Sequence, residues 1–359
     1  MRSLYSILPS IAILASAANA QELAAPVFLD EVVLPTELAI AGVPFGGISG
    51  LDYDAENDVF YAISDDRAQN GPARFYVIKL AVEDGEIARL DIVSTHELTD
   101  EDGASFPEGG VDPEAIRFSA ETGTLFWSSE GDADGNPAIY EANLDGSAIR
   151  RIEVPAAYLP DAESKGIYGN LAFENLALST DGPRIFVGTE NGLAQDGDKA
   201  TVDAGSPARV AVFDRESGDL FAEYIYQTDP IRVPSTEEPH YNDNGLSEFL
   251  MLDDNRLIAV ERTFASGYGN EIAFYVASWD EADDIAGSET IEGQDVAAMN
   301  KQHWFTIGEG DFGLDVDNIE SITWGPDVDG ERTIVIASDN NFNRVGQFTQ
   351  FVLFSVPGL

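Results

Sequence analysis

The chain has 359 residues, 65 acidic and 19 basic side chains, a formal net charge of -46 and no cysteine. Such an acidic chain is a poor partner for nucleic acid or an anionic membrane, and the absence of cysteine excludes disulfides and thiol chemistry. With 44% hydrophobic residues, the chain has enough apolar material to fold around a core without covalent cross-links.

The N-terminus predicts an export signal. Arg2 precedes an apolar stretch over residues 4–18, and the small-x-small sequence Ala18-Asn19-Ala20 follows. We therefore predict that residues 1–20 are a cleaved signal peptide and that residues 21–359 form one secreted or periplasmic domain. No later apolar run approaches the roughly 18 residues that a membrane helix needs, so we expect no membrane span. We also predict a monomer.

Five segments of the chain repeat one pattern: a first strand, a turn rich in Asp, Asn or Gly, and a second strand. Their equivalent first-strand residues are Ser49, Glu114, Glu174, Glu248 and Glu320. The intervals of 65, 60, 74 and 72 residues suit a four-stranded blade with its loops. A third strand follows each hairpin. We therefore predict an all-β protein, a single β-propeller of five four-stranded blades.

The fifth module reaches the end of the chain with only three strands. The stretch Val27-Phe28-Leu29-Asp30-Glu31-Val32-Val33 is free to supply the fourth. We predict that it closes the ring from the N-terminus and so removes the open sheet edges. A sixth blade is an alternative, because the irregular sequence between residues 285 and 310 could contain one.

The second strand of each module also ends in an acidic residue, and these are Asp65, Glu130, Glu190, Glu261 and Asp339. The midpoint between each one and its first-strand partner falls within the turn of the same hairpin, so both lie at the end opposite the turn. In a propeller the first strands line the central channel. We therefore predict that nine carboxylates and Ser49 surround one mouth. The competing explanation is that these acids occupy solvated strand ends in a generally acidic chain.

A ring of carboxylates beside asparagine and backbone oxygens suits a hard divalent cation, above all Ca²⁺. Such a cation would offset the repulsion among like charges. We therefore predict that all nine acids are metal ligands. Zinc is not expected, since the chain has 3 histidines and no His-Glu-x-x-His motif.

Three arginines follow the second strands, namely Arg67, Arg262 and Arg344. They are candidate catalytic residues, because guanidinium groups at the mouth could clamp a phosphate ester. They could equally serve to neutralise the acidic ring, and both roles stay open. Ser49 lacks the glycine spacing of a nucleophile elbow, and we interpret His240 as an ordinary loop histidine.

The five modules also carry distinctive sequences, which are Gly46 to Asp54 with Ser64 to Arg67, Asp112 to Ile116 with Ser128 to Gly131, Phe173 to Ser179, Glu261 to Phe264, and Asp317 to Ile322 with Ser338 to Phe342. As a set, these stretches resemble the phytase-like family, also described as esterase-like activity of phytase. The resemblance implies a secreted or periplasmic propeller that hydrolyses a small-molecule phosphoester or other ester, with Ca²⁺ as cofactor. The alternative is a non-catalytic propeller that binds a ligand or a protein and holds structural cations.

Overall fold

Strands connected by turns and loops form the computed structural model, which describes residues 23–161, 165–180 and 182–359. The helical segments within these ranges are two single 3-10 turns, Ala156–Tyr158 and Asp311–Gly313. No helix of the described chain is long and apolar enough to cross a membrane. The predicted signal peptide lies outside the described residues and stays a prediction.

The described chain opens with β1 (Val27–Leu34) and a short hairpin of β2 (Ala39–Ile40) and β3 (Val43–Pro44). Four blades follow, each made of four consecutive antiparallel strands. Blade 1 contains β4 (Ile48–Asp54), β5 (Val59–Ser64), β6 (Arg74–Glu83) and β7 (Glu86–Glu97). Blade 2 contains β8 (Pro113–Ser119), β9 (Thr124–Ser129), β10 (Ala138–Ala142) and β11 (Ala148–Ile152).

Blade 3 contains β12 (Phe173–Leu178), β13 (Arg184–Gly192), β14 (Pro207–Asp214) and β15 (Leu220–Gln227). Blade 4 contains β16 (Asn242–Met251), β17 (Arg256–Ala265), β18 (Gly269–Ser278) and β19 (Asn300–Gly308). Blade 5 contains β20 (Asn318–Val328), β21 (Glu331–Asp339) and β22 (Thr349–Val356). Its fourth strand is β1, which pairs with β22.

The pairing of β1 with β22 confirms the predicted closure from the N-terminus. The two strands are antiparallel over most of their length, with Val32 opposite Phe351. The inner strands β4, β8, β12, β16 and β20 contact one another in that order, and β20 contacts β4. The ring is therefore closed with five blades.

The structure excludes a sixth blade between residues 285 and 310, the region in which the sequence allowed one. Residues 300–308 of that region form β19, the outermost strand of blade 4, which the sequence pattern did not reveal. With β19 in place, each of the five sheets that form the ring has four strands.

The core consists of apolar layers between neighbouring blades. Val335 and Leu353 of blade 5 pack with Leu51 and Phe60 of blade 1 in one such layer. A middle strand is covered on both faces, because its blade lies between two others, and every residue of β9 is buried. This explains why the centre of a middle strand, such as Leu125-Phe126-Trp127 of β9, is continuously apolar instead of alternating.

A buried ion pair crosses the central channel beneath one of its ends, and we call it the Arg117–Glu248 plug. Arg117 of blade 2 donates to the carbonyl oxygens of Leu51 in blade 1, at 2.7 Å, and Phe249 in blade 4, at 2.9 Å. Its Nη2 lies 2.8 Å from Glu248 Oε2, and both side chains are buried. Glu248 also accepts a hydrogen bond from the Leu176 amide of blade 3. The plug thus joins blades 1 to 4 across the axis.

Candidate functional site

Each inner strand carries a β-bulge near its start. In β12, Phe173 lies opposite Thr189 and Asn175 lies opposite Gly188, so that Glu174 has no partner. A bulge re-aims the side chain of its extra residue, here toward the channel mouth. The corresponding residues in the five inner strands are Ser49, Glu114, Glu174, Ser247 and Glu320.

In blade 4 the predicted equivalence is wrong by one residue. Leu246 lies opposite Glu261 and Glu248 lies opposite Val260, which places the bulge at Ser247. Successive strand side chains point to opposite sides, so Glu248 points away from the mouth and into the Arg117–Glu248 plug. The prediction that Glu248 lies at the mouth is therefore wrong.

The same shift removes Glu261 from the mouth. Its carboxylate accepts hydrogen bonds from the Tyr226 hydroxyl at 2.8 Å and the Asp229 amide at 2.8 Å, and Lys301 Nζ lies 2.5 Å away. These partners hold Glu261 between blades 3 and 4. The strand-end position that is acidic in the other four blades is occupied in blade 4 by Arg262.

The remaining seven predicted acids converge at one end of the channel, which we call the mouth. Six of them line a central cavity of about 230 Å³, together with Asp112, Arg67, Arg262, Asn170 and Asn341; these six are Asp65, Glu114, Glu174, Glu190, Glu320 and Asp339. The seventh, Glu130, lies beside Asp112 and Glu114. That these side chains bind a metal stays a prediction.

Asp112 is a mouth residue that the repeat pattern did not predict. One carboxylate oxygen from each of Asp112, Glu114 and Glu130 lies within 4.8 Å of the others, and all three side chains are buried. The spacing of Asp112 and Glu114 was a usable signal, because residues i and i+2 of an extended chain share a face. This triad is the densest group of candidate metal ligands in the described chain.

Burial and mutual repulsion raise the pKa values of the mouth acids. Burial, reinforced by the charge of Glu320, raises the pKa of Asp65 to about 7. Burial, together with the charge of Glu130, raises the pKa of Asp112 to about 8. Burial also raises the pKa of Glu190 to about 8, although Arg262 opposes the shift. The mouth therefore holds more negative charge than its two arginines can balance.

These shifts predict how stability depends on pH when a chelator keeps metal away. Between about pH 4 and pH 8 the native protein holds protons on Asp65, Asp112 and Glu190 that the unfolded chain has released. The free energy of unfolding should therefore fall as the pH rises through this window and level off above it. Thermal unfolding in EDTA from pH 5 to pH 9 measures this, and a melting temperature that rises across the window would contradict it.

The structure places two of the three candidate arginines at the mouth. Arg67 pairs with Asp112, lies 3.5 Å from Glu130, and donates to Asn170 at 2.6 Å. Arg344 lies in the exposed loop after β21 and lines none of the described cavities of the mouth. Loop residues Asn341, Asn343 and Gln347 line a cavity beside the mouth, whereas the exposed Arg344 lines none, so the expectation that Arg344 faces the mouth is wrong.

Arg262 is held more loosely than Arg67 by its acidic neighbours. Its Nη2 lies 3.4 Å from Glu190 and 3.6 Å from Glu320, and its Nη1 lies 3.8 Å from Asp243. Its Nε is buried without a hydrogen-bond partner. Arg262 therefore has donor capacity that its protein neighbours do not use.

Ser49 and His240 do not form a nucleophile and base pair. The Ser49 hydroxyl is buried and donates to the carbonyl oxygen of Glu114 at 2.8 Å, which links blade 1 to blade 2. His240 is exposed and lies 3.2 Å from Glu238. Ser49 therefore serves as an interblade link.

Two further cavities adjoin the central one. A cavity of about 450 Å³ shares Arg67, Asp112 and Asn170 with it. A larger cavity of about 580 Å³ shares Glu190, Arg262 and Glu320, and extends to Tyr241 and Phe264. We call this larger space the aromatic cavity. A ligand bound at the mouth can therefore extend to either side.

Comparison with known proteins identifies one family. A family model described as "Phytase-like: Esterase-like activity of phytase" matches residues 43–342, a range that includes all the mouth residues named above. No curated protein matches the chain. Among solved structures, the chain is similar to one titled "Structure of Dos1 propeller", with 9% sequence identity, a TM-score of 0.35, and coverage of 86% of this chain and 68% of that one.

Proposed function

The chain belongs to the phytase-like family, described as esterase-like activity of phytase, and from this premise we propose that it is an exported hydrolase of phosphoric esters that uses Ca²⁺ at the mouth. The observation that carries the proposal is the cluster of buried carboxylates at the mouth, with the triad of Asp112, Glu114 and Glu130 at its densest point.

The residues present fit a calcium ion. All the candidate ligands are hard oxygen donors, which Ca²⁺ prefers over nitrogen and sulfur. Oδ1 of Asp65 is buried and has no hydrogen-bond partner, which supports a cationic ligand nearby. We propose that Asp112, Glu114 and Glu130 hold the ion, with the other mouth acids around it. When bound, calcium supplies positive charge that offsets the carboxylate repulsion and polarises a phosphoryl oxygen.

The two mouth arginines are proposed to orient the ester. Arg67 and Arg262 both line the central cavity; Arg67 also lines the cavity of about 450 Å³, and Arg262 also lines the aromatic cavity. Because the terminal nitrogens of Arg262 lie 3.4 to 3.8 Å from their acidic neighbours, the guanidinium can turn a donor toward a phosphate oxygen without breaking a short hydrogen bond. Because the Arg117–Glu248 plug crosses the channel beneath the mouth, we propose that a substrate enters and leaves through the mouth.

The sequence supports three further parts of the proposal, which concern where the protein acts, what it binds and its oligomeric state. The predicted signal peptide over residues 1–20 supports secretion or periplasmic location. The net charge of -46 disfavours nucleic acid and anionic membranes as partners. We propose that the mature protein acts as a monomer on a small-molecule ester.

A non-catalytic propeller with structural cations is the second candidate. It is favoured by one observation, namely that both arginines already have acidic neighbours at the mouth. In that case the arginines would neutralise the cluster and a ligand or protein would bind without reacting.

A metal-removal experiment separates the two functions. Phosphate release from an aryl phosphate is expected to fall to background in EDTA and to return when Ca²⁺ is added in excess. Activity that persists in EDTA would contradict the calcium-dependent mechanism. No activity on aryl phosphate with Ca²⁺ present would instead favour the binding protein.

A further inference from the structure

The aromatic cavity is unlike a site for a highly charged ligand. Its walls carry one cation, Arg262, against six carboxylates, which are Glu190, Asp243, Glu309, Asp315, Asp317 and Glu320. An acidic surface of this kind repels each additional phosphate on a ligand. Only the edge shared with the central cavity, where Arg262 lies, is suited to an anionic group.

The rest of the aromatic cavity offers groups that bind uncharged hydroxyls. Six amide side chains line it, namely Asn170, Asn270, Asn318, Asn341, Asn343 and Gln347. Amides both donate and accept hydrogen bonds, and carboxylates accept them from hydroxyl groups. A polyhydroxylated molecule can therefore be bound here without bringing further negative charge.

One wall of this cavity is aromatic. The rings of Tyr241 and Phe264 lie 6.1 Å apart between centroids, and Tyr241 is 54% exposed. The Tyr241 hydroxyl bonds to Asp243, which holds the ring in place. An exposed aromatic face beside hydrogen-bonding side chains can pack against the apolar face of a saturated ring.

From these observations we propose that the aromatic cavity binds a sugar-type ring. The preferred substrate is then a sugar ester with a single phosphate, and a ring that carries several phosphates is a poor substrate. This inference rests on the proposed function for the reaction, but the binding preference can be measured without turnover. The phosphate lies near Arg262, and the ring lies against Tyr241 and Phe264.

The binding test uses two ligands that resist hydrolysis, with Ca²⁺ present throughout. One is the phosphonate isostere of glucose 1-phosphate, and the other is inositol hexakissulfate, a highly charged ring. Isothermal titration calorimetry is expected to show that the phosphonate binds about tenfold more tightly than the hexakissulfate, because the acidic walls of the aromatic cavity repel the sulfate groups. Equal or tighter binding of the hexakissulfate would overturn the proposal.

Single substitutions test whether the sugar ring of the ligand binds against Tyr241. Tyr241→Ala is expected to weaken phosphonate binding about fivefold through loss of the aromatic contact. The matched control is Tyr268→Ala, which removes a tyrosine that is 49% exposed and does not line the cavity. Asp315→Arg is expected to strengthen hexakissulfate binding, since it reverses one of the repelling charges. An unchanged affinity for the phosphonate in Tyr241→Ala would count against the proposal.

Turnover distinguishes failure of this inference from failure of the proposed function. Phosphate release is measured from glucose 1-phosphate, from methyl phosphate, which lacks a ring, and from inositol hexakisphosphate. Binding of the phosphonate with no release from any ester supports the ring site and refutes hydrolysis. Release from methyl phosphate at a kcat/KM equal to that for glucose 1-phosphate supports hydrolysis and refutes the ring site.

Discussion

Replacing Glu114 by glutamine is expected to lower calcium-dependent phosphate release by about 100-fold or more, because it removes a charged ligand from the proposed metal site. Glu114 is only 7% exposed, and no hydrogen bond or ion pair within the described ranges of the chain reaches its carboxylate. Burial and the charge of Glu174 hold its pKa well above the ordinary value. A carboxylate in such surroundings is costly unless a cation compensates it.

If Glu114 is a metal ligand, Glu114→Gln should change the melting temperature differently in EDTA and in Ca²⁺, relative to the unsubstituted protein. In EDTA, Glu114→Gln should melt at a higher temperature than the unsubstituted protein, because a buried acid has been removed from a repelling cluster. With Ca²⁺, the gain in melting temperature that the unsubstituted protein shows should be lost. A variant that keeps both its activity and its stabilisation by Ca²⁺ would exclude Glu114 from the site.

Glu141→Gln is the matched control for this experiment. Glu141 belongs to the same blade and is also largely buried, but its carboxylate is occupied by Thr124 and by Arg150 Nε at 2.7 Å. The control is expected to lose some stability and to retain the response to Ca²⁺. A loss of that response in Glu141→Gln would show that the readout reports general damage to blade 2.

Replacing Arg117 by methionine is expected to lower the free energy of unfolding by about 3–5 kcal/mol, since it leaves Glu248 as an unpaired buried charge. Burial already raises the pKa of Glu248 to about 8 even with Arg117 beside it. The substitution also deprives inner-strand carbonyl groups of blades 1 and 4 of their donor. Urea unfolding monitored by fluorescence measures the change.

Two comparisons show whether the unpaired charge is the cause. Adding Glu248→Gln to Arg117→Met should recover part of the lost stability, because the second substitution removes the buried charge. Arg89→Met serves as a control, since Arg89 is 65% exposed and its pairing with Asp91 is open to solvent. An equal loss in Arg89→Met, or no recovery in the double variant, would be inconsistent with the Arg117–Glu248 plug as described.

The prediction from sequence worked best where local patterns carry the information. Hairpin strands, Gly- and Asp-rich turns and the interval between modules identified the blades, because each blade repeats the same local chemistry. The unpaired third strand of the last module likewise identified residues 27–33 as the closing strand. The sequence did not predict β19, because its residues 300–308 are only partly buried and lack the dense apolar run of a middle strand.

The amino-acid sequence was sufficient for the five-bladed propeller, its closure and seven of the acids at the mouth, because strand periodicity and turn chemistry act over a few residues. Tertiary structure decided which side chains of blade 4 lie at the mouth. A bulge at Ser247 instead of Glu248 displaces two acids and brings Arg262 to the mouth. A one-residue shift of this kind is set by contacts with other blades, here the pairing of Glu248 with Arg117 across the channel, and such contacts leave no local trace in the sequence.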